Sequence, residues 1–379
     1  MNRSGNLAKN TAYLMTAQVV RVAAQAIFLV AVRRYLGPAA FGSFSVALVI
    51  AKLVTQFSEL GFSTTLLRDA SREPARMRDI LGSALGLRTL ASAVTLSLLF
   101  LITRWLPYSE DVASATMVFG VALILQSFAM LFYAALRSHE RMQYEPVALA
   151  FYAVVLMSGL AWVIIARRGL VATTMVELAA HLSALLWITV VAYQILNSAV
   201  HLSFNTGLIR SFWRSTWPVS VGTIGYLVYY QADTELLYFI RGAEETGIYS
   251  TAYRLVAVSL ILPVAYFNAL LPRLTRALEN NRANARRLLR FSSGGALALG
   301  LPLAVGTVMV APGLMRLLFG ESGAPSVRPL QLLIFLAAIS YWGQSFTNAS
   351  LVLDGARIYM RLSCLGAVVN IAANLLVIP

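Results

Sequence analysis

The chain repeats itself at an offset of 205 residues, inside a sequence built almost entirely of membrane-length apolar stretches. Gly37-Pro38-Ala39-Ala40-Phe41-Gly42-Ser43-Phe44-Ser45-Val46-Ala47 lines up with Gly242-Ala243-Glu244-Glu245-Thr246-Gly247-Ile248-Tyr249-Ser250-Thr251-Ala252, and the same offset carries Arg68 onto Arg273 without a gap. Hydrocarbon offers no water to an open backbone, so spanning segments of this length fold as helices. Two related sets of such helices are the usual build of a secondary transporter, with the substrate path between the halves.

Composition fixes the class. Hydrophobic residues make up 59% of the chain, charged residues 12%, and mean hydropathy is +0.72. A soluble domain carries about 25% charged residues, so an all-α polytopic membrane protein is expected. The net charge of +14 would suggest nucleic acid in a soluble protein. In a membrane protein, basic loops set orientation and meet anionic headgroups. No nucleic-acid-binding signature accompanies the charge, so membrane lipids are expected as partners and nucleic acid is not. The lone Cys364 permits no intramolecular disulfide and reads as packing.

Spans are expected at 11–32, 42–66, 80–103, 112–136, 146–166, 170–195, 216–240, 247–271, 291–319, 327–352 and 362–379. The first is too long for a signal-peptide core and has no Ala-x-Ala site after it, so it reads as a spanning helix. These spans group into an N-terminal bundle at 1–196, a linker at 197–215 and a C-terminal bundle at 216–379. With the N-terminus cytoplasmic, the loop cations divide about 18 to 7, the minority being Arg33, Arg34, Arg104, Arg167, Arg168, Arg241 and Arg328. The stretch from Arg273 to Arg290 is expected to form an amphipathic cytoplasmic linker. The offset leaves the sixth span without a counterpart in the second half, and the chain ends at Val377-Ile378-Pro379. A truncated reading frame, with the final helix missing, is the expectation.

Five cations fall within or near spans: Arg21, Lys52, Arg88, Arg254 and Arg316. A cation at a helix centre costs about 2.5–3.5 kcal/mol on insertion scales, so it faces a bundle interior or a wet cavity. Arg88 and Arg316 lie nearer span ends, where snorkelling suffices. Arg21 has Gln18 and Gln25 on its face; Lys52 has Gln56 and Glu59 on its own. Arg254 lies within one turn of residue 257, the repeat counterpart of Lys52. Structural pairing is the competing account, Arg21 or Lys52 with Glu59, and Arg254 with Asp233. Tyr226, Tyr230 and Asp233 share a face suited to a sugar-bearing or ion-bearing path. Glu177 and His181, one turn apart, suit a proton relay or an interhelical hydrogen bond equally. Glu59, Asp233, Glu177 and His181 are the candidates for ion coupling. Polar faces at Tyr341, Gln344, Ser345 and Asn348, and at Asn370 and Asn374, serve packing as readily as a path. Glu110-Asp111 reads as a solvated turn.

Several stretches carry a family resemblance: Lys9-Asn10-Thr11, Arg34-Tyr35-Leu36-Gly37-Pro38-Ala39-Ala40-Phe41-Gly42, Glu59-Leu60-Gly61-Phe62, Glu140-Arg141-Met142, and Gly247-Ile248-Tyr249-Ser250-Thr251-Ala252-Tyr253-Arg254-Leu255 followed by Leu271-Pro272-Arg273-Leu274. With them the chain resembles the oligosaccharide-lipid flippases of bacterial polysaccharide synthesis, in the superfamily that also holds multidrug/toxin extruders and lipid II flippases. The resemblance implies two pseudo-symmetric six-helix bundles around a V-shaped central cavity, alternating access and a bacterial inner-membrane location. It implies no cofactor, an undecaprenyl-diphosphate-linked oligosaccharide as cargo, and polysaccharide polymerase and other assembly proteins as partners. Lipid II flippases carry essential cations in helices one, two and eight, where Arg21, Lys52 and Arg254 stand. Family members have at least twelve spans, one more than is read here. The competing functions are a drug/cation antiporter of the same superfamily, a membrane enzyme, and an accessory protein of polysaccharide assembly. No nucleotide loop, metal-spaced Cys/His set or nucleophile motif supports an enzyme.

Overall fold

Gly37 sets the geometry of the first helix. In the computed structural model α1 (Arg3–Glu59) is helical throughout except at Gly37, which sits at φ 76°, ψ 177°. Its repeat counterpart Gly242 sits at φ 88°, ψ −178°. That region of backbone space is open essentially to glycine alone, which is why both copies of the repeat begin with one. Each glycine turns the chain, and a new helical segment starts at Pro38 or Ala243.

The structure describes residues 3–378 except 60–61, 74–75, 197–205, 261–262, 264–265, 268–269, 271–273, 275–276, 278–281 and 353–355. After α1 come α2 (Phe62–Arg72), α3 (Met77–Trp105), α4 (Glu110–Ser138), α5 (Tyr144–Ile165), α6 (Leu170–Leu196), α7 (Thr206–Arg241) and α8 (Ala243–Ser259). Then follow α9 (Arg282–Phe319), a 3₁₀ segment (Gly320–Ser326), α10 (Val327–Val352) and α11 (Ala356–Val377). Among the described residues seven stretches are long and apolar enough to cross a membrane. One of them, Lys9–Glu59, has 51 residues. At 1.5 Å per residue it would reach about 76 Å, more than twice a hydrocarbon core of about 30 Å. The protein is an all-α polytopic membrane protein.

The chain packs as two compact units, Met1–Leu36 with Val46–Ser220, and Gly37–Ser45 with Val221–Pro379. In the first, α4 packs on α2, α3 and α6, and α5 packs on α6. Its apolar core includes Phe62, Leu66, Leu81, Leu131, Phe132 and Ile188. In the second, α10 packs on α8, α9 and α11. The small segment Gly37–Ser45 belongs to this second unit and packs against the start of α8.

Several expectations change. The span expected at 42–66 covers the end of α1 and the start of α2, with residues 60–61 outside the described ones; on α2 Phe62, Leu66 and Ala70 are buried and Ser71 and Arg72 exposed. Glu110 and Asp111 open α4 behind the N-cap Ser109, whose side chain accepts from the Val112 amide at 3.4 Å. There the carboxylates favour the helix dipole instead of solvating a turn. Arg88 does not snorkel: it is fully buried. Arg33, expected in an outer loop, is also fully buried, on α1. Of the linker at 197–215, residues 197–205 lie outside the described residues, and α7 begins at Thr206. Of the basic linker expected from Arg273 onward, most of 273–281 lies outside them too, and 282–290 forms the start of α9. Leu60, Gly61, Leu271 and Pro272 and the side chains of Arg68, Ser345 and Asn348 are likewise outside the description.

Candidate functional site

Arg21 lines a cavity of ≈ 160 Å³ in the first unit, together with Gln18, Gln126, Tyr133, Arg137, Tyr152 and His181. Its guanidinium donates to the Gln18 side-chain oxygen at 2.8 Å, which joins two residues read as one polar face. Gln25, one turn further, donates to the Tyr152 hydroxyl at 3.5 Å. Tyr152 in turn donates to a Glu177 carboxylate oxygen at 3.0 Å, and that oxygen lies 3.7 Å from His181 Nε2. The Tyr152 and His181 rings lie 4.8 Å apart. The polar face of α1 therefore runs through Tyr152 into the buried pair on α6, so Glu177 and His181 sit at the back of the Arg21 cavity.

Arg137 stands in the last turn of α4, and its fork donates to both Glu145 oxygens, at 2.9 and 2.6 Å. This bidentate geometry is the strong form of a carboxylate contact. Gln126, Met130, Tyr133 and Arg137 follow one another at steps of four, three and four residues, one face of α4. That periodicity is visible in the sequence and would have found the wall.

Glu59 serves a different group. Its Oε2 accepts from Arg88 at 2.7 Å and its Oε1 from Ser63 at 3.0 Å, with the Arg88 guanidinium 5.5 Å from the Phe62 ring centroid. Nearby, the Ser58 and Ser92 hydroxyls share a bond of 3.1 Å. Lys52 and Gln56 are half-buried on the same stretch of α1, and neither is among the lining residues of the Arg21 cavity.

The second unit holds a larger cavity of ≈ 310 Å³ among α7, α10 and α11, lined by Tyr226, Tyr230, Ser340, Gln344, Tyr359 and Ser363 with apolar neighbours. Tyr226 and Tyr230 lie one turn apart on α7 with rings 4.5 Å apart. Tyr230 shares a hydroxyl bond of 3.2 Å with Ser340. Asp233 faces elsewhere: its carboxylate accepts from the Tyr249 hydroxyl and the Thr234 amide. Arg254 stands with its guanidinium 5.7 Å from the Phe41 ring centroid, a cation–π distance. Tyr253 beside it donates to the Tyr230 carbonyl at 2.9 Å. Thus Arg21, Gln18, Gln25, Glu177 and His181 come together in one unit, and Tyr226 and Tyr230 line a cavity in the other. Among the described residues no group of three or more His, Cys, Asp or Glu side chains could hold a metal ion.

The sequence profile described as "Polysaccharide biosynthesis protein" matches residues 7–278. The chain belongs to that family. This bears out the resemblance read from the sequence. No curated protein matches the sequence. The fold is similar to that of a multidrug resistance MATE family transporter of the MOP superfamily in an inward-facing conformation, at TM-score 0.71 and 14% identity, covering 93% of this chain and 88% of that one. It is also similar to a MOP superfamily transporter from Pyrococcus furiosus described as having a binding pocket of reverse polarity, at TM-score 0.56 and 13% identity, covering 98% and 95%. A Vibrio cholerae MATE transporter mutant matches at TM-score 0.56 and 13% identity, covering 99% and 95%.

Proposed function

We propose that this family member is a flippase carrying an undecaprenyl-diphosphate-linked oligosaccharide from the cytoplasmic to the outer leaflet of a bacterial inner membrane. The observation that carries the reading is the cavity of the first unit, where Arg21 and Arg137 stand among hydrogen-bonding Gln18, Gln126 and Tyr133. A diphosphate leaving water needs its hydration replaced, and guanidinium forks and amides do that with charge-assisted bonds. Arginine suits phosphate because its planar fork meets two oxygens at once. Lys52 and Arg254 are the further cations assigned to the path, with Gln25 and Gln56 as polar supports. Glu177, His181, Glu59 and Asp233 are the groups assigned to ion coupling, with Glu177 and His181 favoured by their place behind Arg21. Polysaccharide polymerase and other assembly proteins would receive the product.

Export of drugs or organic cations is the second reading, supported by two of the similar solved structures, which are described as multidrug resistance transporters. The buried Glu177 and half-buried Asp233 carboxylates, each bonded by a tyrosine, are the features that would serve it. One proteoliposome preparation separates the two. Protein-dependent transfer of labelled undecaprenyl-diphosphate oligosaccharide between leaflets, with no uptake of ethidium, supports the flippase; ethidium uptake without lipid transfer supports the antiporter and refutes it.

A further inference from the structure

We infer that the tyrosine-lined cavity of the second unit is a binding site for a single uncharged sugar ring. The inference rests on the flippase reading for the source of the sugar. Its physical basis is the lining. Tyr226, Tyr230 and Tyr359 line it; aromatic rings are the partners of the axial C–H faces of a pyranose, and each of the three carries a hydroxyl. Ser340, Gln344 and Ser363 add groups that both donate and accept, the pattern that sugar hydroxyls require. Among the described residues, the lining holds no Asp, Glu, Lys, Arg or His. Hydroxyl, amide and ring groups of this kind match an uncharged polar ring better than a diphosphate or an organic cation. The nearby Asp233 carboxylate is taken up by Tyr249 and Thr234.

The site is built, not merely open. Tyr226 packs on Tyr230 at 4.5 Å, Tyr229 meets Tyr230 edge-on at 5.1 Å, and Tyr230 is tied to Ser340 across to α10. The Tyr359 ring lies against Gly222 of α7, where an added Cβ would come within 2.5 Å of the ring edge. Rings fixed in this way lose little freedom on binding. The volume of ≈ 310 Å³ is at the small end of ligand sites, which run from about 300 to 1,000 Å³. It suits one ring of an oligosaccharide and is too small for the whole glycan.

Gly343 supplies a clean test, because a Cβ placed on it meets nothing within 4 Å and points into open space beside the lining. Gly343→Leu fills the cavity without a clash at Cβ, and Tyr359→Phe removes one hydroxyl while keeping the ring. Saturation-transfer NMR on the purified full chain in detergent is run with glucose, galactose, rhamnose and N-acetylglucosamine, and separately with tetraethylammonium. The expected result is transfer to the ring C–H protons of at least one sugar. It should fall about tenfold in Gly343→Leu, fall less in Tyr359→Phe, and persist in Gly294→Ala, whose Cβ meets nothing within 4 Å. No transfer to any of the sugars, or transfer unchanged by Gly343→Leu, overturns the site; tetraethylammonium contact that Gly343→Leu removes, without sugar contact, overturns it in favour of a cation cage. The flippase reading fails separately: sugar contact in a chain that moves no lipid diphosphate leaves the site standing and sinks the transport claim.

Discussion

Gly42 and Gly247 lie back to back, and they are repeat counterparts. A Cβ on Gly42 would come within 2.9 Å of the Gly247 amide nitrogen and run into the Ala243 carbonyl; one on Gly247 would come within 3.1 Å of the Gly42 nitrogen and run into the Pro38 carbonyl. Pro38 and Ala243 are counterparts as well, so each copy of the repeat presents the same atoms to the other. The contact is a local two-fold axis written in sequence. Gly42→Val or Gly247→Val is expected to force the two backbones apart, at about 1–3 kcal/mol for overpacking a close contact. Thermal unfolding in detergent should show a lower midpoint for both and little change for Gly294→Ala, whose Cβ meets nothing within 4 Å.

Arg88 and Glu59 form an ion pair at 2.7 Å between α3 and α1. Arg88 is fully buried while the Glu59 side chain keeps 21% exposure, so each depends on the other unequally. Arg88→Met leaves a mostly buried carboxylate without its cation, which for buried pairs costs about 3–5 kcal/mol. Arg88→Met with Glu59→Leu should recover most of that loss. Chemical denaturation of the three variants measures it; a double variant as unstable as the single one would mean that the pair holds something beyond each other.

Arg137 is shared between Glu145 and the cavity. Glu145→Gln weakens the bidentate hold and should tighten binding of undecaprenyl diphosphate, whereas Arg137→Gln should weaken it by roughly tenfold, the effect of one charge-assisted bond. Equilibrium binding of the fluorescent lipid reports both, and opposite signs are the expected outcome.

Glu177→Gln keeps an acceptor for Tyr152 and removes the charge beside His181. If this pair carries the coupling ion, the variant should still equilibrate lipid between leaflets but ignore an imposed proton or sodium gradient. Transfer rates with and without the gradient check it.

Much of the frame was legible beforehand because it depends on local rules. The paired glycines at 37 and 242 announce a conformation that other residues avoid, and the polar face of Gln18, Arg21 and Gln25 follows from helical spacing alone. What escaped needed tertiary information. Arg137 carries no local mark of its role, since a cation at a helix end fits the positive-inside rule whether or not it faces a cavity. Arg88 read as a snorkelling residue because its partner Glu59 lies 29 positions earlier on another helix. Tyr359 gave no sign of meeting Tyr226, because the two come together only when α11 packs beside α7.

The most direct test of the cationic path is the initial rate of undecaprenyl-diphosphate oligosaccharide transfer in proteoliposomes, comparing the native chain with Arg21→Ala/Lys52→Ala at equal reconstitution. The account predicts a fall of about a hundredfold, two charge-assisted contacts at about 1.5 kcal/mol or more each, with the fold intact by circular dichroism. Transfer at the native rate by the double variant would contradict it.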